Sequence, residues 1–459
     1  HGGGPRRVIG LNVNIASYIG LYWLTEHLLA RAANGFAIGW PWLASWTALA
    51  FATALSLLLT LLPPRALGEL ASGARDALVL GVAAGVLAWA AGLASERLWA
   101  SMSALTLRSV YWLIWPFTRD IVYVPSERAI GTADFVVLVA PECSGVEGIG
   151  LILVVIGLYL WTARARLRFP RALLALPLAI VAVFVGNAAR IALLIAVGVK
   201  LSPEIALSGF HSKAGWLFFC AIALALIALM QRTRFLSRAD SDDELLESWN
   251  PTATYLAPLL ALIATGLVTA LFSTGFDALY GLRIVAVLTA LYLQRIHLPR
   301  AEWPPSWQAP LIGALVFAIW LALASRPDPQ VVLHFKKQIA ELGPLMAAVW
   351  IALRAVGSSV TVPLAEELAF RGFLLRRLID RDFTEVDKRR ITPFALIGSS
   401  IAFGLLHPGA VGPACIAGVA YAFAQRARGR IADAVIAHAI SNALIAGYVL
   451  CFDAYWLWL

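Results

Sequence analysis

Charge is what this chain lacks. Asp, Glu, Lys and Arg make up only 14% of its 459 residues, while apolar types make up 60%. A soluble protein typically carries about 25% charged residues to cover its surface, so a soluble globular fold is excluded. Cysteine is scarce as well. Of Cys143, Cys220, Cys415 and Cys451, the last three lie in apolar helical runs, and no CxxC spacing occurs. This argues against a disulfide framework and against a zinc site, and the last three read as small packing residues. HExxH, a Walker loop, a dinucleotide fingerprint and a haem motif are all missing, so neither cofactor nor metal is expected. The net charge of +9 comes with Arg clustered in short loops between apolar runs. That is the signature of cytoplasmic loops, and no nucleic-acid partner is expected.

Long apolar runs, by contrast, recur from end to end. Candidate spans cover 8–30, 36–62, 77–98, 144–163, 172–199, 213–231, 254–273, 281–294, 308–325, 341–375, 391–407, 411–426 and 431–455. The expected fold is therefore all-α: a polytopic membrane helical bundle of two modules with about 13 spans. The span 341–375 is expected to break near Gly357 and Pro363. No cleavable signal peptide is recognised, so the first apolar run is expected to be retained. With these spans the basic loops at Arg6, Arg65, Arg164, Arg232, Arg295, Arg376 and Arg426 share one side, and only Lys336 and Lys337 fall opposite. The segment 99–142 is read as irregular, with a β-like run at Asp134–Ala140, lying at the outer interface. The long charged stretch Gln231–Asn250 marks the boundary, giving modules at 1–235 and 254–459 with a cytoplasmic polar linker at 236–253.

In the first module, Pro141-Glu142-Cys143-Ser144-Gly145 opens a long apolar helix. A cysteine at a helix N-terminus is held toward its thiolate by the macrodipole and free N–H groups. A small residue at a helix start reads equally well from this local pattern. Arg190 lies within an apolar span, roughly 27 Å along it from residue 172, near the outer face. An intramembrane Arg is a functional candidate; headgroup snorkelling and a structural ion pair are its alternatives. His211 follows in the next outer loop, where an interfacial histidine is the plainer reading. Together the three supply a nucleophile, a proton carrier and a fixed charge for an oxyanion.

At these positions the sequence resembles the exosortase/archaeosortase family, through Cys143-Ser144-Gly145, Asn187-x-x-Arg190 and His211 with Gly215 behind it. The resemblance implies a multipass cysteine transpeptidase in the bacterial cytoplasmic membrane, its Cys site facing outward. It implies substrates that are exported proteins with a C-terminal sorting tail, and a polysaccharide or lipid-linked acceptor. Cys143 would be the nucleophile, with Arg190 and His211 as partners.

The second module carries Glu366-Glu367-x-x-x-Arg371, Phe403-x-x-x-His407 and His438-x-x-x-Asn442 on three apolar helices. Glu367/Arg371 and His438/Asn442 are i,i+4 partners. Measured from the basic loops, Glu366, His438 and Asn442 come to about 12–18 Å depth, and His407 deeper, at roughly 25 Å. A Glu and His set binds a metal in some proteins, but no known zinc spacing is present. A desolvated Glu working with His407 to activate water is preferred, with His438 and Asn442 donating to the oxyanion. A buried polar network that only orients helices is the alternative.

These three motifs resemble the CPBP family of CAAX prenyl proteases and bacteriocin-processing intramembrane proteases. The resemblance implies a glutamate-type intramembrane endopeptidase with Glu366 and His407 at its centre, supported by Glu367, Arg371, His438 and Asn442. The two motif sets in this order resemble the exosortase E/protease family, associated with the VPEID-CTERM sorting system. The implied function is a bifunctional membrane processing enzyme. A transporter or a non-catalytic membrane scaffold is the competing reading, and two halves sharing no motif disfavour the transporter.

Overall fold

A computed structural model describes residues 4–34, 36, 39–61, 68, 75–139, 145–238, 250–273, 275–298 and 306–459. Cys143 and residues 239–249 of the expected linker lie outside these. The chain divides into two compact units, His1–Leu93 and Ala94–Leu459.

In the first unit, α1 (Gly4–Ala33) packs along α2 (Trp40–Leu61). The pair is tied inside its apolar contact by Asn14, whose amide donates to the Thr53 carbonyl at 2.7 Å and to Ser56 Oγ at 3.0 Å. Trp46 Nε1 donates to Thr25 Oγ1 at 2.8 Å.

Helix α3 (Arg75–Ile114) runs across the division between the units. The segment after residue 99 thus corrects the irregular reading: it stays helical to Ile114. Ser103, Thr106, Leu107, Val110 and Ile114 are buried at helical spacing. Polar Ser103, Thr106 and Arg108 dilute the hydropathy that would have revealed the helix. A three-stranded antiparallel meander follows: β1 (Ile121–Val124), β2 (Ala129–Thr132) and β3 (Val136–Leu138). Val124 pairs with Ala129, and Gly131 with Val136.

Three helices then build the part of the fold that holds the first candidate site: α4 (Val146–Thr162), α5 (Ala175–Lys200) and α6 (His211–Arg232). Ile152, Ile156, Ala179, Val183, Leu226 and Met230 form one core among them. A second core joins Leu107, Val110 and Ile130 to Ile191 and Leu194 of α5, and takes in Leu271 from the second half.

The second half comprises α7 (Pro251–Ala270), α8 (Gly281–Gln294), α9 (Gln308–Leu323), α10 (Pro329–Glu341), α11 (Pro344–Val356 and its continuation to Arg377), α12 (Pro393–Leu405), α13 (Val411–Arg428) and α14 (Ile431–Phe452). Each expected span falls on a helix. Among the described residues, six helices are long and apolar enough to cross a bilayer: those at Trp40–Thr60, Arg171–Lys200, Lys213–Arg232, Pro251–Ala270, Pro344–Arg377 and Ile431–Phe452. Val146–Thr162, Gly281–Gln294, Gln308–Leu323 and Pro393–Leu405 are shorter apolar helices. The chain is a polytopic membrane helical protein.

Two further expectations change. The break near Gly357 and Pro363 is instead a continuous helix, with π turns at Gly357–Thr361 and Leu368–Leu374. An inserted residue lets the helix absorb Pro363, which has no N–H to give. Lys336 and Lys337 lie on α10, an amphipathic helix capped by Asp328 that buries Phe335 and Ile339, and Lys336 pairs with Asp453. Finally, the basic loop expected from Arg426 on is helical to Arg428 and ends on Gly429 at φ 73°. Of the cysteines read as packing residues, Cys220 and Cys451 are exposed on their helices, and Cys415 is half-buried.

Candidate functional site

The first site is a cavity of about 510 Å³ among α4, α5 and α6. Gly145 starts α4 with φ 88°, a left-handed conformation that a side chain strains. A Cβ there would also lie 3.0 Å from Asn187 Nδ2, so only glycine lets the start of α4 approach α5 this closely. Asn187 Oδ1 in turn accepts from Arg190 Nη2 at 3.0 Å. Arg190 is 8% exposed and faces into the cavity, so it is not extended toward lipid headgroups. His211, at the first turn of α6, lines the same cavity, as do Glu147 and the aromatic side chains of Trp216 and Phe219. Arg190 and His211, 21 positions apart, therefore meet around one space, with Gly145 at its edge. Glu147 was not singled out in the sequence; its place in the first turn of the helix after the Cys stretch was the available signal.

The second site lies among α11, α12, α13 and α14. Adjacent residues on a helix point about 100° apart. Glu366 and Glu367 accordingly address different neighbours. Glu366 Oε2 faces His407 Nε2 at 4.0 Å, and the carboxylate is 6% exposed. That oxygen has no hydrogen-bond partner among the described residues. His407 Nδ1 contacts the Phe403 carbonyl at 2.9 Å. A carbonyl only accepts, so Nδ1 carries a proton, and Nε2 is the ring nitrogen turned toward Glu366.

Glu367 is fully enclosed. Its Oε1 accepts from Arg371 Nη1 at 3.2 Å and contacts His438 Nδ1 at 2.9 Å. Its Oε2 lies 3.0 Å from Arg371 Nε, an electrostatic contact whose N–H is not aligned for a hydrogen bond. Arg371 Nη2 donates to the Gly418 carbonyl at 2.8 Å, and its guanidinium lies 4.6 Å from the centre of the Phe403 ring. A buried charge pair needs this degree of saturation to offset its desolvation.

The i,i+4 pairing of Glu367 with Arg371 is present. His438 and Asn442, however, turn away from each other: His438 to Glu367, and Asn442 Nδ2 to the Ser358 carbonyl at 2.8 Å. The reason is the π turn at Gly357–Thr361, whose distorted carbonyls accept from a neighbouring helix. His407 lies at the level of Glu366, not deeper, since its Nε2 comes within 4.0 Å of the Glu366 carboxylate.

Motif reading missed Tyr421. Its ring stacks on His438 with centroids 4.7 Å apart at 17°, and its hydroxyl meets Ser441 Oγ at 2.5 Å. A lone hydroxyl in the Ala-rich face of α13 was the available signal.

Two family models match the chain. Residues 15–228 match the transmembrane exosortase family of the EpsH type. Residues 348–444 match the Rce1-like type II CAAX prenyl endopeptidase family. The second match contains Glu366, Glu367, Arg371, His407, His438 and Asn442, and the first contains Cys143, Arg190 and His211. No curated protein and no solved structure matches the chain. One polypeptide thus carries a region that matches the exosortase model and a region that matches the CAAX-protease model, and both matches support a role in membrane protein processing.

Proposed function

We propose, from an exosortase-like region and a CAAX-protease-like region in one chain, that the two candidate sites are separate active sites. Residues 1–235 form a cysteine transpeptidase facing the extracytoplasmic side of a bacterial cytoplasmic membrane. Residues 254–459 form an intramembrane glutamate endopeptidase, and 236–253 link them. The substrates are exported proteins with a C-terminal sorting tail.

In the first site the Cys143 thiolate attacks the scissile carbonyl. Arg190 balances the oxyanion, and His211 gives a proton to the leaving amine. The resulting thioester passes its acyl group to water or to a polysaccharide or lipid-linked nucleophile, releasing the thiolate. The meeting of Arg190 and His211 around one cavity supports these roles.

In the second site, the observation that carries the reading is the 4.0 Å separation of Glu366 Oε2 and His407 Nε2. It exceeds a direct hydrogen bond and matches two acceptors sharing one water. Glu366 takes a proton from that water while Nε2 of His407 accepts its other hydrogen. The hydroxide adds to the peptide carbonyl, and Glu366 returns the proton to the leaving amine. His438 donates to the oxyanion from Nε2 as an imidazolium, since Nδ1 is committed to Glu367. Asn442 uses one amide hydrogen on Ser358 and has a second to offer.

The test co-expresses a tagged, tail-bearing exported protein with the wild type, Cys143→Ala or Glu366→Ala. Two distinct processing defects are expected. Unchanged processing with Cys143→Ala removes the thiol mechanism, and unchanged processing with Glu366→Ala removes the glutamate mechanism.

A further inference from the structure

Helix α13 contributes no residue to any of the three motifs, yet it backs the whole glutamate site. Gly418 supplies the carbonyl that holds Arg371 at 2.8 Å. One turn on, Tyr421 is 1% exposed, and the two side chains that contact Glu367 both rest on its ring. The His438 imidazole stacks on it at 4.7 Å, and the Arg371 guanidinium lies 5.5 Å from its centre. The ring is itself fixed by its hydroxyl. Ser441 Oγ spends its proton on the His438 carbonyl at 2.8 Å, so in the 2.5 Å contact Tyr421 is the donor and Ser441 the acceptor. The tie returns to the backbone of His438, so one short loop of contacts fixes both the ring and the residue stacked on it.

We propose that Tyr421 is a positioning residue for the glutamate protease reading above: its ring sets the plane of the His438 imidazole, and its hydroxyl sets the ring. An imidazole held by one hydrogen bond at Nδ1 still rocks about its Cβ–Cγ bond within the angular tolerance of that hydrogen bond, a rotation that tilts Nε2. A flat partner at stacking distance removes the rotation and aims Nε2 in one direction. Tyr421 touches no reacting atom and transfers no proton. Its effect falls on the turnover step, where oxyanion alignment matters, and not on substrate binding.

The proposal rests on Glu366 acting as base, and the experiment separates the two. The full chain in lipid nanodiscs cleaves the tail-bearing substrate under steady-state conditions. Tyr421→Leu is expected to lower kcat on the order of 10²-fold, the scale set by misplacing a catalytic group by an ångström, with KM within about threefold. Tyr421→Phe keeps the stack and is expected to recover most of that loss. Ser441→Ala should match Tyr421→Phe, and the double variant should be no worse than either, because both remove one bond. Tyr421→Leu with wild-type kcat, or with a raised KM alone, overturns the proposal. So does a Tyr421→Phe as slow as Tyr421→Leu, or a double variant that sums the two single losses. The two mild variants keep the test open if Tyr421→Leu does not fold. Wild-type rates in Glu366→Gln, or no cleavage by the wild type, overturn the glutamate reading itself, and this proposal with it.

Discussion

Glu366 and Glu367 are neighbours with opposite environments. Glu367 is closed in by Arg371 and His438, while one oxygen of Glu366 has no protein partner among the described residues. Burying a carboxylate without a partner costs free energy, whereas a buried pair costs most when one member is removed. The two glutamates should therefore separate stability from activity. Arg371→Leu leaves Glu367 short of its compensating charge and is expected to destabilise the fold by about 3–5 kcal/mol. Glu366→Gln breaks no hydrogen bond of Oε2 among the described residues and is expected to leave the unfolding midpoint near wild type while abolishing proteolysis. Thermal unfolding of the two variants in detergent, beside the cleavage assay, checks both. Equal losses of stability would mean that Glu366 is a structural group.

Glycines decide how closely the elements carrying the sites approach each other. A Cβ on Gly418 would lie 3.0 Å from Ser400 Cα, so α12 and α13 pack nearly backbone to backbone there. Gly418→Val is expected to push the two helices apart, destabilise by about 1–3 kcal/mol and shift the carbonyl that holds Arg371. Gly412→Ala, with open space around its Cβ in the same helix, is the matched control in the unfolding measurement. At the first site, Gly145→Ala meets both a positive φ and Asn187. The left-handed backbone alone costs about 1–2 kcal/mol. This variant is expected to slow the cysteine-dependent cleavage and leave the glutamate-dependent one intact, read from the two products of the co-expressed substrate. The π turns of α11 work at the same scale: they bracket the two glutamates and free a carbonyl at Ser358 for Asn442.

Across the whole molecule, each site draws its side chains from its own group of helices. The cavity of Arg190 and His211 is lined by α4 to α6, and the glutamate site by α11 to α14. Sites without shared side chains act independently to a good approximation. The double variant Cys143→Ala/Glu366→Ala is therefore expected to show the sum of the two single processing defects, judged by the masses of the accumulated substrate forms. A double variant indistinguishable from one single variant would order the two cleavages in series instead.

By itself the sequence determined the membrane class, the helix at each expected span and the residues of both motif sets. Hydropathy and motif spacing are properties of short stretches and survive whatever the helices do. It also paired Glu367 with Arg371, because i,i+4 neighbours on one helix meet without outside help. Only the tertiary structure decided that His438 and Asn442 part company, that α3 stays helical to Ile114, and that Tyr421 stands behind the imidazole. Those outcomes depend on how each helix is rotated, where a π turn shifts its phase and how near a glycine lets its neighbour come. These quantities are fixed by packing between segments far apart in the chain.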